Sequence, residues 1–142
     1  MQIQIKKLDE RARIPKYQSD GAAGFDLHAL ENAEISACDR GAIRTGLAVA
    51  LPIGYELQVR PRSGLALKHG VTVLNSPGTV DSDYRGELIV ILINLGRETF
   101  KISAGDRIAQ AVVKTALQAE LVEVGELGET DRGANGFGST GR

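Results

Sequence analysis

Between Asn75 and Tyr84 the chain packs an amide, two carboxylates and a phenol into ten residues of polar, turn-rich sequence, Asn75-Ser76-Pro77-Gly78-Thr79-Val80-Asp81-Ser82-Asp83-Tyr84. A carboxylate there can activate water as a general base, and an amide beside free backbone groups at a hairpin tip can read the edge of a flat base. The plain alternative is a polar hairpin loop, in which Tyr84 would be oddly placed. A second set, Arg62-Ser63-Gly64, enters a short helix and so gathers N–H donors, a hydroxyl and a guanidinium at one helix N-terminus, a ready anion site. A serine N-cap with solvated arginines accounts for the same residues equally well. The turn Asp20 to Gly24 feeds a strand carrying Asp26, which is either a functional carboxylate or an exposed strand aspartate. Gln110, flanked by Ala109 and Ala111, has small neighbours that leave it free to reach a ligand, although a strand glutamine is usually a surface residue.

At the far end, Arg132-Gly133-Ala134-Asn135-Gly136-Phe137-Gly138-Ser139-Thr140-Gly141-Arg142 has donors, glycines and one ring and almost nothing to bury. Gly136, Gly138 and Gly141 satisfy G-x-G-x-x-G by letter, but that fingerprint belongs between a strand and a helix, and this context offers neither. What remains is a strip whose N–H groups can wrap an anion, whose Arg132 and Arg142 can pair with phosphate, and whose Phe137 can stack on a base. The combination suggests a nucleotide; a disordered glycine-rich terminus has the same composition. Only His28 and His69 are present, so neither a histidine metal site nor a Ser-His-Asp triad finds support, and no Walker A sequence occurs.

The elements that must position these groups read as short strands. Alternation at Ile3 and Ile5, at Phe25, Leu27 and Ala29, at Tyr55, Leu57 and Val59, a nearly continuous apolar run Leu88 to Leu95, and Leu121 with Val124 all favour β-structure, with Leu74 to Glu87 read as a hairpin followed by Leu88 to Leu95 as a buried strand. Turns at Ser19-Asp20-Gly21, Pro52-Ile53-Gly54, Ser76-Pro77-Gly78, Leu95-Gly96 and Ala104-Gly105-Asp106 punctuate them. Leu65 to His69, before Gly70, predicts one short helix, while Arg107 to Thr115 fits either period and is taken as strand. An all-β barrel or sandwich follows, with residues 1–126 as the β-barrel domain and residues 127–142 as a flexible glycine-rich arm. At 142 residues the chain is one domain, and its formal net charge of -1 argues against a nucleic-acid polymer as partner. A single cysteine, Cys38, excludes an internal disulfide and suggests a reducing compartment. No signal peptide or membrane span is visible, so a cytoplasmic protein with no membrane partner is expected.

In order and spacing, five segments resemble the motifs of the trimeric dUTP diphosphatase (dUTPase) family: Ala23 to Leu27, Arg62 to Ala66, Asn75 to Glu87, Gly105 to Gln110, and Arg132 to Gly141. The resemblance implies a jelly-roll-like β fold, a homotrimer with active sites shared between subunits, and hydrolysis of dUTP to dUMP and pyrophosphate with Mg2+. It further implies a role in keeping uracil out of DNA and supplying dUMP for dTMP synthesis. By position, Asp81 is the implied base, near the deoxyribose 3′-hydroxyl, and Tyr84 lies under the sugar and excludes a 2′-hydroxyl. Asn75 helps read uracil, and the backbone around Thr79 and Val80 leaves no room for a 5-methyl group. Arg62, Ser63 and Gly64 hold phosphates from a neighbouring subunit, with Gln110 near the α-phosphate and Asp26 in the polar network behind. Arg132, Phe137, Gly138, Ser139 and Thr140 of the arm close on the substrate, Phe137 stacking on the base. Magnesium is implied to be held by the triphosphate and waters, with no direct protein ligand. The dCTP deaminase family is implied to share the fold, but its members usually lack the stacking tail.

Overall fold

The computed structural model describes residues 1–136. Its strands are β1 (Gln4–Lys7), β2 (Phe25–His28), β3 (Ala33–Ile35), β4 (Arg40–Arg44), β5 (Leu47–Ala50), β6 (Tyr55–Arg60), β7 (Val71–Val73), β8 (Gly78–Val80), β9 (Ile89–Asn94), β10 (Phe100–Ile102) and β11 (Arg107–Thr115). One helix, α1 (Ser63–His69), stands between β6 and β7. All pairings are antiparallel, in sheets ordered β1-β5, β10-β3, β2-β11-β6-β8 and β4-β9-β7. The sheets are open, and three of the pairs are nested: β2 with β11, β3 with β10, and β4 with β9. The chain therefore doubles back on itself as one long ribbon.

Alternation explains which face of each strand turns inward. Leu27, Leu57, Val59, Ala109 and Ala111 from the four-stranded sheet join Ile43, Val71, Val73, Val90 and Leu92 from the three-stranded sheet in one buried cluster. Such packing, at about 25 cal/mol per Å2 of apolar area removed from water, is what holds the sheets together. Asn94 is fully buried yet satisfied: Nδ2 donates to the carbonyls of Ile35 and Glu98, while Oδ1 accepts from the Gly96 amide. The helix ends at Gly70, whose φ of 67° is the left-handed conformation a C-cap requires and whose amide donates to the Ala66 carbonyl.

Most of the expected strands are present, and the doubtful segment Arg107–Thr115 is the longest of them. Helix α1 starts at Ser63, two residues before the expected stretch. Three expectations are corrected. Asn75 to Glu87 does not form a hairpin ladder, because β7 pairs with β9 and β8 pairs with β6, so the intervening turn carries the chain from one sheet to the other. The run Leu88 to Leu95 is not buried throughout: Val90, Leu92 and Asn94 point inward, while Ile89 and Ile91 are 47% and 37% exposed. Leu121 and Val124 lie in no strand, and they are exposed together with Leu117, Val122 and Leu127. Among the described residues no strand or helix follows Thr115.

Candidate active site

Two polar clusters form at opposite ends of β6. At the Arg60 end, the pairing of β11 with both β2 and β6 brings Asp26, Gln110 and Arg60 side by side across the sheet. Asp26 is largely buried, and its carboxylate accepts from Arg62 Nε at 3.0 Å and from Arg107 Nη1 at 3.4 Å. Arg62 also donates through Nη1 to the Arg107 carbonyl at 3.2 Å. A carboxylate braced by two guanidiniums holds their orientation more than it adds stability. Nothing in the local sequence marks Arg107 as a partner of Asp26, because the contact joins residues 81 positions apart.

Arg62 occupies the N-cap of α1 with extended φ and ψ of -97° and 128°, so it and not a serine stands at the helix entrance. Its carbonyl accepts from the amides of Leu65 and Ala66 at 3.1 Å each. The amides of Ser63 and Gly64 precede the first intrahelical bonds, and both residues are exposed. A Cβ built on Gly64 meets nothing within 4 Å among the described residues, so the approach to this corner is open. Gln110 Nε2 donates to the Pro61 carbonyl at 2.9 Å and ties the strand to the entry of α1.

At the other end of β6 lies the Asp81 cluster. The register Leu57 to Val80 places Asp81 across from Glu56 as the chain leaves β8. A cleft of about 200 Å3 is lined by Val59, Thr79, Val80, Asp81, Tyr84 and Glu87 among others, and Asp81 also borders a wider hollow with Tyr55, Glu56 and Asp83. Tyr84 is 45% exposed and outside the core, as its polar surroundings suggested. Its hydroxyl donates to the Glu87 carbonyl at 3.1 Å, and its amide donates to the Asp81 carbonyl at 3.2 Å. Asn75 is exposed and lies across Gly78, where an added Cβ would come within 3.2 Å of its Nδ2. Among the described residues strand β8 is at the edge of its sheet, so one side of the Gly78–Val80 backbone faces away from β6 with donors and acceptors unpaired by them.

Glu56, across from Asp81, and Arg60, across from Gln110, are separated by about 13 Å of strand, so the two clusters lie beyond hydrogen-bond reach of one another along β6. Arg132 Nε donates to the Asn135 carbonyl within its own turn, at 2.9 Å. Phe137, Gly138, Ser139 and Thr140 lie outside the described residues. Beside Asp26, burial holds His28 below its ordinary pKa, helped by the charge of Arg13 and opposed by that of Asp26. His28 Nδ1 is buried without a hydrogen-bond partner among the described residues. Those residues contain no group of three or more histidine, cysteine or acidic side chains able to hold a metal ion. With Asp26 committed to arginines, a divalent cation here would take most of its oxygens from a bound phosphate chain and water.

The described chain is thus an antiparallel β scaffold with a carboxylate lining a cleft and, at the other end of β6, an exposed helix entrance behind a clamped arginine. A family model, dUTPase, matches residues 10–141, and the chain belongs to that family. The deoxyuridine 5'-triphosphate nucleotidohydrolase of Wolinella succinogenes is 66% identical over 142 residues, with 100% of this chain and 95% of the relative covered. A variant of the Staphylococcus bacteriophage 80alpha dUTPase, solved with dUpNHpp, superposes with a TM-score of 0.92 at 26% identity over 99% of both chains. The dUTPase of phage phi11 of S. aureus, whose structure describes coordination of a structural Mg(II) ion, shares the fold with a TM-score of 0.85 at 24% identity, over 91% of this chain and 100% of that one.

Proposed function

We propose that this chain hydrolyses dUTP to dUMP and pyrophosphate, with Asp81 as the base that activates water against the α-phosphate. The observation that carries the reading is the cleft in which Asp81 and Tyr84 stand beside the open backbone edge of β8. In the step itself, Asp81 takes a proton from water, the water oxygen forms a bond to the α-phosphorus, and the bond to the α–β bridging oxygen breaks. That oxygen leaves with pyrophosphate. Position and charge neutralisation account for most of the acceleration in such a reaction. Asn75 and the outward backbone of Thr79 and Val80 read the uracil edge, and this backbone leaves no room for a 5-methyl group. Tyr84 underlies the sugar and excludes a 2′-hydroxyl.

Arg62, Ser63 and Gly64 hold the phosphates, with Asp26 and Gln110 setting that corner. Because this corner and Asp81 are separated within one chain, the complete site is formed between subunits of a homotrimer. The exposed Ile89 and Ile91 of β9 and the apolar side chains from Leu117 to Leu127 support association, since they leave apolar surface uncovered in the single chain. Arg132, Phe137, Gly138, Ser139 and Thr140 of a further subunit then close over the nucleotide. Magnesium, when bound with the triphosphate, supplies charge neutralisation at the phosphates. Among the described residues no helix is long and apolar enough to cross a membrane, and we place the reaction in the cytoplasm, where it would keep uracil out of DNA and feed dTMP synthesis.

Pyrophosphate release is measured with dUTP, dCTP, dTTP and UTP in parallel, each with magnesium, and ammonia is followed in the dCTP arm. Rapid release from dUTP with little from the others is expected. Ammonia from dCTP, or equal release from all four nucleotides, would overturn the proposal.

A further inference from the structure

The ring of Tyr84 is held in place by a residue with no side chain. A Cβ built on Gly86 would fall 2.3 Å from Tyr84 Oη, 2.5 Å from its Cζ and 3.0 Å from its Cε2, contacts that real Cβ atoms do not make. The φ of Gly86 lies outside the left-handed region, so its backbone conformation is open to any residue. Space for the phenol is therefore the reason for a glycine at this position. The obstructed atoms belong to a stiff aromatic ring that can yield only by swinging about its own bonds.

The opposite side of the ring's setting is equally fixed. Tyr84 donates to the carbonyl of Glu87, and the Glu87 carboxylate accepts from the Gly46 amide at 2.8 Å and from Arg44 Nε at 3.1 Å. One residue on, the Leu88 amide donates to the Leu47 carbonyl at 2.7 Å, and Thr45 Oγ1 donates to the Leu88 carbonyl at 2.6 Å. The carbonyl that receives the Tyr84 hydroxyl is thus tied to the β4–β5 turn by hydrogen bonds on either side of it. Arg85 Nη1 fixes the intervening loop through the carbonyls of Ser82 and Tyr84.

We propose that Gly86 is a positioning residue that determines sugar specificity: it admits the Tyr84 phenol to the space against its own Cα, while Glu87, anchored by Arg44 and Gly46, receives the hydroxyl. The inference rests on the reading of Tyr84 as the group under the sugar. A ring displaced from Gly86 no longer fills the space that a 2′-hydroxyl needs, so UTP enters where only dUTP did. Asp81 keeps its place at the end of β8, and turnover of dUTP survives.

Gly86→Ala, Tyr84→Ala and the double variant test this, using the ratio of kcat/KM for dUTP to that for UTP, thermal unfolding, and tyrosine-selective NMR. With three tyrosines in the chain, the Tyr84 signals are identified by one Tyr→Phe substitution each at positions 17 and 55. Gly86→Ala is expected to lower the ratio by about tenfold or more, to shift the Tyr84 ring signals, and to have no further effect in the Tyr84→Ala background. A ratio within about twofold of the parent, unshifted Tyr84 signals, or equal damage with and without the ring would each overturn the proposal. Should Gly86→Ala alone fail to fold, folding of the double variant supports it and failure of both overturns it. If Tyr84→Ala itself keeps the parent ratio, the steric reading of Tyr84 falls and takes this inference with it. A Tyr84→Ala that loses selectivity beside a Gly86→Ala that keeps it removes this inference alone.

Discussion

Asp81 and Tyr84 could be singled out from sequence because neither had anything else to do: a carboxylate and a ring in a turn-rich stretch find no core to serve. Asp81→Asn keeps the size and loses the ability to take a proton, so turnover of dUTP should fall about 100-fold to 10,000-fold. Binding of a non-hydrolysable dUTP analogue, measured by calorimetry, should remain within about threefold of the parent, as expected when an interaction belongs to the transition state; turnover above a few per cent would remove Asp81 from the role of base. The partners of these residues were not legible. Arg107, Arg44 and Pro61 reach Asp26, Glu87 and Gln110 across strands far apart in sequence, and no local pattern marks such a pairing. The hydrogen bond from Gln110 to the Pro61 carbonyl is one such contact that its small neighbours do not announce. His28 makes a separate prediction. Its pKa in the folded protein lies below the ordinary 6.5, chiefly through burial, so the unfolded chain binds a proton more readily than the folded one. Stability is then fully present above 6.5 and declines as pH falls through the lower folded value. His28→Gln should flatten the drop in melting temperature between about pH 7 and about pH 5; an unchanged slope would show that His28 is not the group concerned.

Elements were read well where alternation was backed by burial. Phe25 to His28 and Tyr55 to Arg60 put every second residue into the core, which fixes both the strand and its register. Arg107 to Thr115 is ambiguous in sequence because Ile108, Ala111, Val112 and Thr115 also fit helical spacing; pairing on both sides, with β2 and with β6, decides for strand. Leu121 and Val124 failed in the opposite sense: three positions apart, they do not share a strand face, and among the described residues they have no partner strand. The hairpin around Asn75 to Glu87 also failed, because which strand β8 joins is settled by the whole sheet and not by its turn. Strand β6 matters most, as it carries one cluster at each end. Leu57, completely buried and paired with Val80, is its central anchor. Leu57→Ala should destabilise the fold by about 2–5 kcal/mol, read by chemical denaturation, and a loss below about 1 kcal/mol would show that the core collapses into the space.

For the molecule as a whole, the separation of the Asp81 cluster from the Arg62–Ser63 corner is the feature on which the proposed shared site rests. Removal of residues from Arg132 onward should leave a folded protein with severely reduced dUTP turnover, because the chain beyond Thr115 adds no strand or helix among the described residues. Mixing that truncated chain with full-length Asp81→Asn protein, under conditions that exchange subunits, should restore part of the activity. Each mixed assembly can unite an intact Asp81 with an intact arm, and no recovery after exchange is verified by mass spectrometry would mean that the arm serves its own Asp81. The nested ribbon carries a consequence in time. Asp26 pairs with Gln110, Ala33 with Ile102 and Arg40 with Ile93, so strand β2 and strand β6 both wait for β11 near the end of the sequence. Loop closure over such spans is entropically slow, and refolding is expected in the millisecond-to-second range typical of non-local β topologies. During synthesis, strands made early stand with unpaired edges until residue 115 has emerged, and this interval is when the nascent chain is most exposed to aggregation.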